Sequence, residues 1–198
     1  MNINIICIGK IKEKYLQDGI DEYLKRLSKY ANTKIIELPD EPIPDNASEK
    51  EIKQIKQKEA EKIQKAINSR DFVVALDLSG KEFTSEEFAQ EISAITVSGY
   101  STIDFIIGGS SGLDKELVSN SNFKMSFSKL TFPHQLFRLI LCEQIFRAYK
   151  ILNNETYHKW LIRAINNRPY DYRLLTDSRL ILIGIIFSPT TGSSVLYV

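Results

Sequence analysis

The chain has 198 residues, 43% of them apolar, and a formal net charge of +1. That length and apolar share give one substantial core rather than two comfortable domains. A near-neutral balance excludes a global pull toward nucleic acid or an anionic membrane, so any nucleic-acid partner must be met by a local patch or a shaped pocket.

NIIC, within the first eight residues, reads as a short buried strand closed by Gly9 and Lys10. KEKYLQDGIDEYLKRLSKY follows and sets Tyr15, Leu16, Ile20, Tyr23, Leu24 and Leu27 on one helical face. Thr33 to Leu38 is a second strand, and PDEPIPDNA, rich in proline and turn formers, is a loop. Ser48 with Glu51 three residues on forms a capping box that starts a polar helix to about Asn68. Ile52, Ile55, Ile63 and Ile67 give that helix only a narrow apolar stripe.

FVVALDL, Phe72 to Leu78, is nearly continuously apolar, the pattern of a strand in a sheet covered on both faces. Ser79, Gly80 and Lys81 are expected to turn the chain there. Thr84 or Ser85 caps a third helix to about Val97, with Phe88, Ile92 and Ile95 inward. Ile103 to Ile107 is another buried strand, ended by GGSSG, and a helical turn follows at Leu113 to Val118. FKMSFS is a last strand. Thr131 is placed to cap a long helix from Pro133 to about Leu152, with Pro133 in the first turn, where a missing N–H costs nothing. Strands alternate with helices throughout, so an α/β fold with a mostly parallel sheet is expected, in one domain plus an atypical tail.

Cys7 and Cys142 lie far apart beside apolar residues and read as buried free thiols. With two histidines and no cysteine near either, no metal site is expected. The N-terminus carries no basic leader and no small-residue cleavage signal, so no signal peptide is read. The longest apolar run, Leu180 to Phe187, is too short to span a bilayer, and the expected compartment is the cytoplasm.

Three strand-end turns, at Leu76, Gly108 and Phe127, can line one crevice of a parallel sheet, the place where such sheets bind ligands. GGSSGL is neither the dinucleotide G-x-G-x-x-G pattern nor a Walker loop, which disfavours a nucleotide-dependent oxidoreductase. Backbone groups, apolar walls and few charges suit an adenosine-like ligand. Asp77 caps amides or supports a loop, and His134 is either a capping partner or a site residue. Glu143 and Arg147, at i,i+4, are placed to pair. Ser110 and Ser111 lie in no G-x-S-x-G elbow, so a serine hydrolase is poorly supported.

IICIGKIKEKY, FIIGGSSGL, MSFSKLTFPHQLFR, LCEQIFRAYKI and NNETYHK, in this order and spacing, resemble the RlmH family of SPOUT-class methyltransferases over residues 1–159. The resemblance implies a C-terminal trefoil knot, a homodimer with the long last helix in its interface, and methylation of N3 of a pseudouridine in 23S ribosomal RNA of the assembled ribosome. It implies an S-adenosylmethionine site at Leu76, Gly108 and the loop Phe127, Ser128, Lys129, Leu130, Thr131 and Phe132. It also implies a target-base pocket between subunits near Tyr157, His158 and Lys159. His158 is then the base or proton relay for N3–H, and Arg138 or Lys159 the cation that steadies developing charge or a nearby phosphate. A non-catalytic ribosome-associated or RNA-binding module on the same fold is the rival reading. Residues 160–198 depart from the family pattern: an unstructured extension, a read-through from another frame, or an added element with a strand near RLILIGIIF.

Overall fold

The computed structural model describes residues 1–156. Tyr157, His158, Lys159 and the extension 160–198 lie outside the described residues.

Five strands form one sheet: β1 (Asn2–Ile8), β2 (Asn32–Leu38), β3 (Phe72–Glu82), β4 (Thr102–Ile107) and β5 (Phe123–Ser126). Their spatial order is β2-β1-β4-β3-β5, and each pairing is parallel. Parallel neighbours need crossovers, and the helices supply them: α1 (Lys14–Leu27), α2 (Glu49–Ala66), α3 (Ser85–Val97), α4 (Lys115–Asn120) and α5 (His134–Leu152).

Side-chain alternation along the strands sorts the core into two layers. Ile3, Ile5 and Cys7 of β1 and Ile103, Phe105 and Ile107 of β4 meet α1, α3 and α5. Ile6, Ile8, Ala75 and Ile106 face the other way, against Ala60 and Ile63 of α2 and Leu117 and Val118 of α4. Helices therefore cover both faces, which is why β4 is buried along its whole length. Each such aliphatic side chain contributes about 1.5–3 kcal/mol on leaving water.

Asp104 is the polar exception in the middle of β4. It is fully buried, accepts a 2.8 Å hydrogen bond from Asn4 Nδ2, and leaves its second oxygen without a partner. Burial, and then the neighbouring Asp71, push its carboxyl up to about 6, against the lowering effect of the Asn4 bond. Cys7 and Cys142 are both free and buried, and burial pushes each thiol up to about 12.

Local signals set three helix starts. Ser48 and Glu51 close a reciprocal box on α2, Thr84 and Glu87 do the same on α3, and Asp114 caps α4. Three details differ from expectation. Tyr15 is 66% exposed, because it sits one 100° step off the stripe of Leu16, Ile20 and Leu27. Thr131 is not the cap of α5: Pro133 holds that position with no side-chain cap bond. β3 does not end at Leu78. It bulges over Asp77–Gly80 and re-pairs Lys81 with Met125 and Glu82 with Ser126.

Among the described residues, no helix is long and apolar enough to cross a membrane, and no group of three or more His, Cys, Asp or Glu is placed to hold a metal ion.

Candidate active site

A crevice of about 750 Å³ opens beyond the carboxyl ends of β3, β4 and β5. Its size lies within the ~300–1,000 Å³ range of small-molecule sites. Three loops and one helix turn build it.

The first wall comes from the β3 bulge, which carries Leu76, Asp77 and Leu78 to the crevice. Asp77 Oδ1 accepts from the Ser79 amide at 2.9 Å and from its hydroxyl at 2.5 Å, which folds the bulge on itself. Gly80 then passes hard against β5: a Cβ there would lie 2.5 Å from the Met125 carbonyl carbon. Only glycine lets the bulge return to the sheet at that point.

The second wall is Gly108 to Leu113, after β4. A Cβ on Gly108 would lie 2.7 Å from the backbone of Gly112 and Leu113, so the loop closes on itself only with glycine. Gly112 holds φ +78, and its amide donates to the Gly109 carbonyl at 2.9 Å. Behind this loop α2 contributes two charged side chains. Lys56 lines the crevice, and Glu59 lies buried beside Gly109, accepting from the Glu41 amide at 3.2 Å. Burial raises the Glu59 carboxyl above its usual range, against the lowering effect of the Glu41 amide.

The third wall is the loop after β5. The Ser126 hydroxyl donates to the Ser128 carbonyl at 3.1 Å, and the Leu130 amide donates to Ser128 Oγ at 3.0 Å. Phe137, on the first turn of α5, meets Phe127 edge-on at 5.0 Å and stacks on Phe132 at 6.0 Å. This aromatic group fastens the loop to the helix.

Of the residues expected to bind the cofactor, Leu76, Gly108, Phe127, Ser128, Leu130, Thr131 and Phe132 all line the crevice. Lys129 is exposed and does not line it. His134 lines it too, and burial, followed by the Arg138 charge, lowers its pKa below the ordinary histidine value, which favours the neutral ring.

Arg138 corrects the expectation of a cation facing substrate. It is 1% exposed and absent from the crevice wall. Nη1 donates to Glu37 Oε1 at 2.9 Å, and Nη2 donates to the carbonyls of Ile8 at 2.8 Å and Gly9 at 3.1 Å. Its charge is spent joining α5 to the ends of β1 and β2. Lys56 was missed by sequence reasoning, since it comes from a helix with no motif. Tyr157, His158 and Lys159 lie outside the described residues.

The walls are apolar and aromatic, the turns are small, and the charged or titratable lining groups are Lys56, Asp77 and His134. An adenosine-bearing, weakly charged ligand fits that chemistry. A family model described as "Predicted SPOUT methyltransferase" matches residues 1–158. The chain is 55% identical over 159 residues to Ribosomal RNA large subunit methyltransferase H 1 of Clostridium perfringens (strain SM101 / Type A). It is 58% identical over 159 residues to Ribosomal RNA large subunit methyltransferase H of Clostridium botulinum (strain Hall / ATCC 3502 / NCTC 13319 / Type A). Each alignment covers 80% of this chain and 100% of the relative.

Proposed function

The chain belongs to the SPOUT methyltransferase family and is an S-adenosylmethionine-dependent methyltransferase of large-subunit (23S) ribosomal RNA; we propose that it methylates N3 of a pseudouridine in the assembled ribosome. The observation that carries the proposal is the convergence of the three strand-end turns and the first turn of α5 on one apolar crevice.

Bound there, the cofactor supplies a sulfonium methyl that is already activated. The protein's task is alignment and removal of one proton. The loops after β4 and β5 offer backbone groups and aromatic sides to hold the cofactor, with Leu76 beneath. His158 takes the N3 proton as base or relay, Tyr157 stacks on or orients the base, and Lys159 supplies the cation. Arg138 acts by holding α5.

The fold reading that goes with this is a trefoil knot, with the C-terminal part threaded through a loop at the crevice, although knots are rare. The chain acts as a homodimer through α5. Apolar residues surround that helix, and Leu136, Leu139 and Ile140 are only half-buried within one subunit, the pattern of a helix that buries more against a partner. Residues 1–159 form the methyltransferase domain, and 160–198 are an extension outside it.

The test is transfer of labelled methyl from S-adenosylmethionine to ribosomes lacking the modification, with free 23S rRNA in parallel. Full-length protein is expected to transfer to ribosomes. His158→Ala is expected to bind cofactor and ribosomes and to lose at least 100-fold in turnover, the lower end of the ~10²–10⁴ that general base catalysis supplies. Full turnover by that variant removes His158 from the chemistry. Cofactor binding without transfer by the wild type favours a non-catalytic module.

A further inference from the structure

A near-neutral chain that handles ribosomal RNA must find its phosphate contacts in a local patch. The loop between β1 and α1 has the features of such a patch. Lys10 and Lys12 are exposed, and neither makes an ion pair among the described residues. Lys14, at the start of α1, is 87% exposed and pairs at the surface with Asp18 at 3.3 Å.

This loop is held firmly for so polar a segment. The Ile11 amide donates to Glu37 Oε1 at 2.9 Å, and the Lys12 amide donates to Gln135 Oε1 at 2.7 Å. Arg138 binds the same Glu37 oxygen and the carbonyls of Ile8 and Gly9. Ile11 packs against the core, so the lysine on each side of it is turned to solvent.

The anchor fixes where the lysines lie. Gln135 and Arg138 face the loop, while Pro133, His134 and Phe137, from the same end of α5, line the crevice. The loop and the crevice therefore meet adjacent faces of one helix end. Lys129, exposed on the crevice loop, adds a cation without a partner among the described residues.

We propose that Lys10 and Lys12 of the β1–α1 loop are a phosphate clamp for ribosomal RNA, fixed beside the crevice by Gln135, Glu37 and Arg138. The inference rests on the ribosomal RNA methyltransferase reading. The clamp grips the backbone of nucleotides flanking the target, so it positions the strand without reading its sequence. Prior ordering by backbone bonds lowers the entropic cost of using two long side chains for this purpose.

The experiment is ribosome binding by full-length protein across a salt series, with Lys10→Gln/Lys12→Gln beside the wild type. Lys65→Gln/Arg70→Gln, at the opposite end of the sheet, is the control. Each lost phosphate contact removes about 0.7–0.9 from the slope of log K against log salt, so the loop variant's slope is expected to flatten by about 1.4–1.8. Its affinity near physiological salt is expected to fall about tenfold, with S-adenosylmethionine affinity and thermal midpoint unchanged. The control is expected to keep the wild-type slope.

A loop-variant slope equal to wild type, while the wild type transfers methyl, overturns the clamp and leaves the enzyme reading intact. A flattened slope without methyl transfer by the wild type supports the clamp and overturns that reading. Weaker ribosome binding with an unchanged slope assigns the loop to a ribosomal protein and overturns the clamp. No ribosome binding by the wild type also overturns it.

Discussion

α2 and α5 each bury one charged side chain next to the crevice, and they do so in opposite ways. α2 is polar, starts on a reciprocal Ser48–Glu51 box, and sends Glu59 under the Gly108–Gly112 loop, where among the described residues its one hydrogen bond comes from the Glu41 amide. α5 is apolar around its circumference and has no side-chain cap, and it buries Arg138 with three bonds that tie it to β1 and β2. α2 would be recognised as a helix in any context. α5 is held by what it touches. The helix that supplies His134 and Phe137 to the crevice is thus the one whose start depends on distant residues.

The largest expected effect breaks that dependence. Arg138→Met removes a buried cation and strands Glu37 and the two carbonyls at the end of β1. Losing one partner of a fully buried pair costs about 3–5 kcal/mol. Glu37 is 29% exposed, which lowers the expected loss to about 2–4 kcal/mol. Urea unfolding measures it. Cofactor affinity is expected to fall as well, because the first turn of α5 loses its register against the sheet. A loss under 1 kcal/mol would mean that aromatic packing of Phe137 with Phe127 and Phe132 is enough to seat the helix.

The same contrast explains what the sequence could and could not reveal. The boxes at Ser48 and Thr84 are local, so α2 and α3 are legible to within a few residues. The three strand-end turns are legible because a parallel sheet gathers its loops at one end, wherever the intervening helices lie. Gly80 reads as an ordinary turn residue, since nothing in SGK shows that β5 passes 2.5 Å from where its Cβ would stand. Arg138 reads as a substrate cation because its partners lie more than 100 residues earlier in the chain. Lys56 carries no motif, and only the packing of α2 behind Gly112 brings it to the crevice. Tyr157, His158 and Lys159 lie outside the described residues; as a sequence they offer only a ring, a proton carrier and a cation, and their expected roles rest on the family resemblance.

A smaller effect tests the claim that α2 stands on local signals. In Ser48→Ala, the hydroxyl that accepts from the Glu51 amide at 3.3 Å is lost. The expected cost is about 1 kcal/mol. In a chain of this size that lowers the thermal midpoint by about 2–4 °C. Calorimetry checks it, with cofactor affinity expected to stay within about twofold of wild type. A much larger shift would show that the start of α2 depends on tertiary contacts as α5 does.

The smallest expected effect is a change of slope, and it sharpens the comparison between the two buried charges. Burial raises the Glu59 carboxyl above its usual value of 4.5, so the folded chain holds that proton more tightly than the unfolded one. The stability this group contributes is therefore full below pH 4.5 and declines as pH rises through the raised value. Glu59→Gln keeps an oxygen for the Glu41 amide and cannot ionise. Its urea midpoint relative to wild type is expected to improve as pH rises from below 4.5 through the raised value and then to level off, while Asp104, raised to about 6, affects both proteins alike and cancels. A constant offset across that range would mean that Glu59 is paired as well in the folded chain as in water.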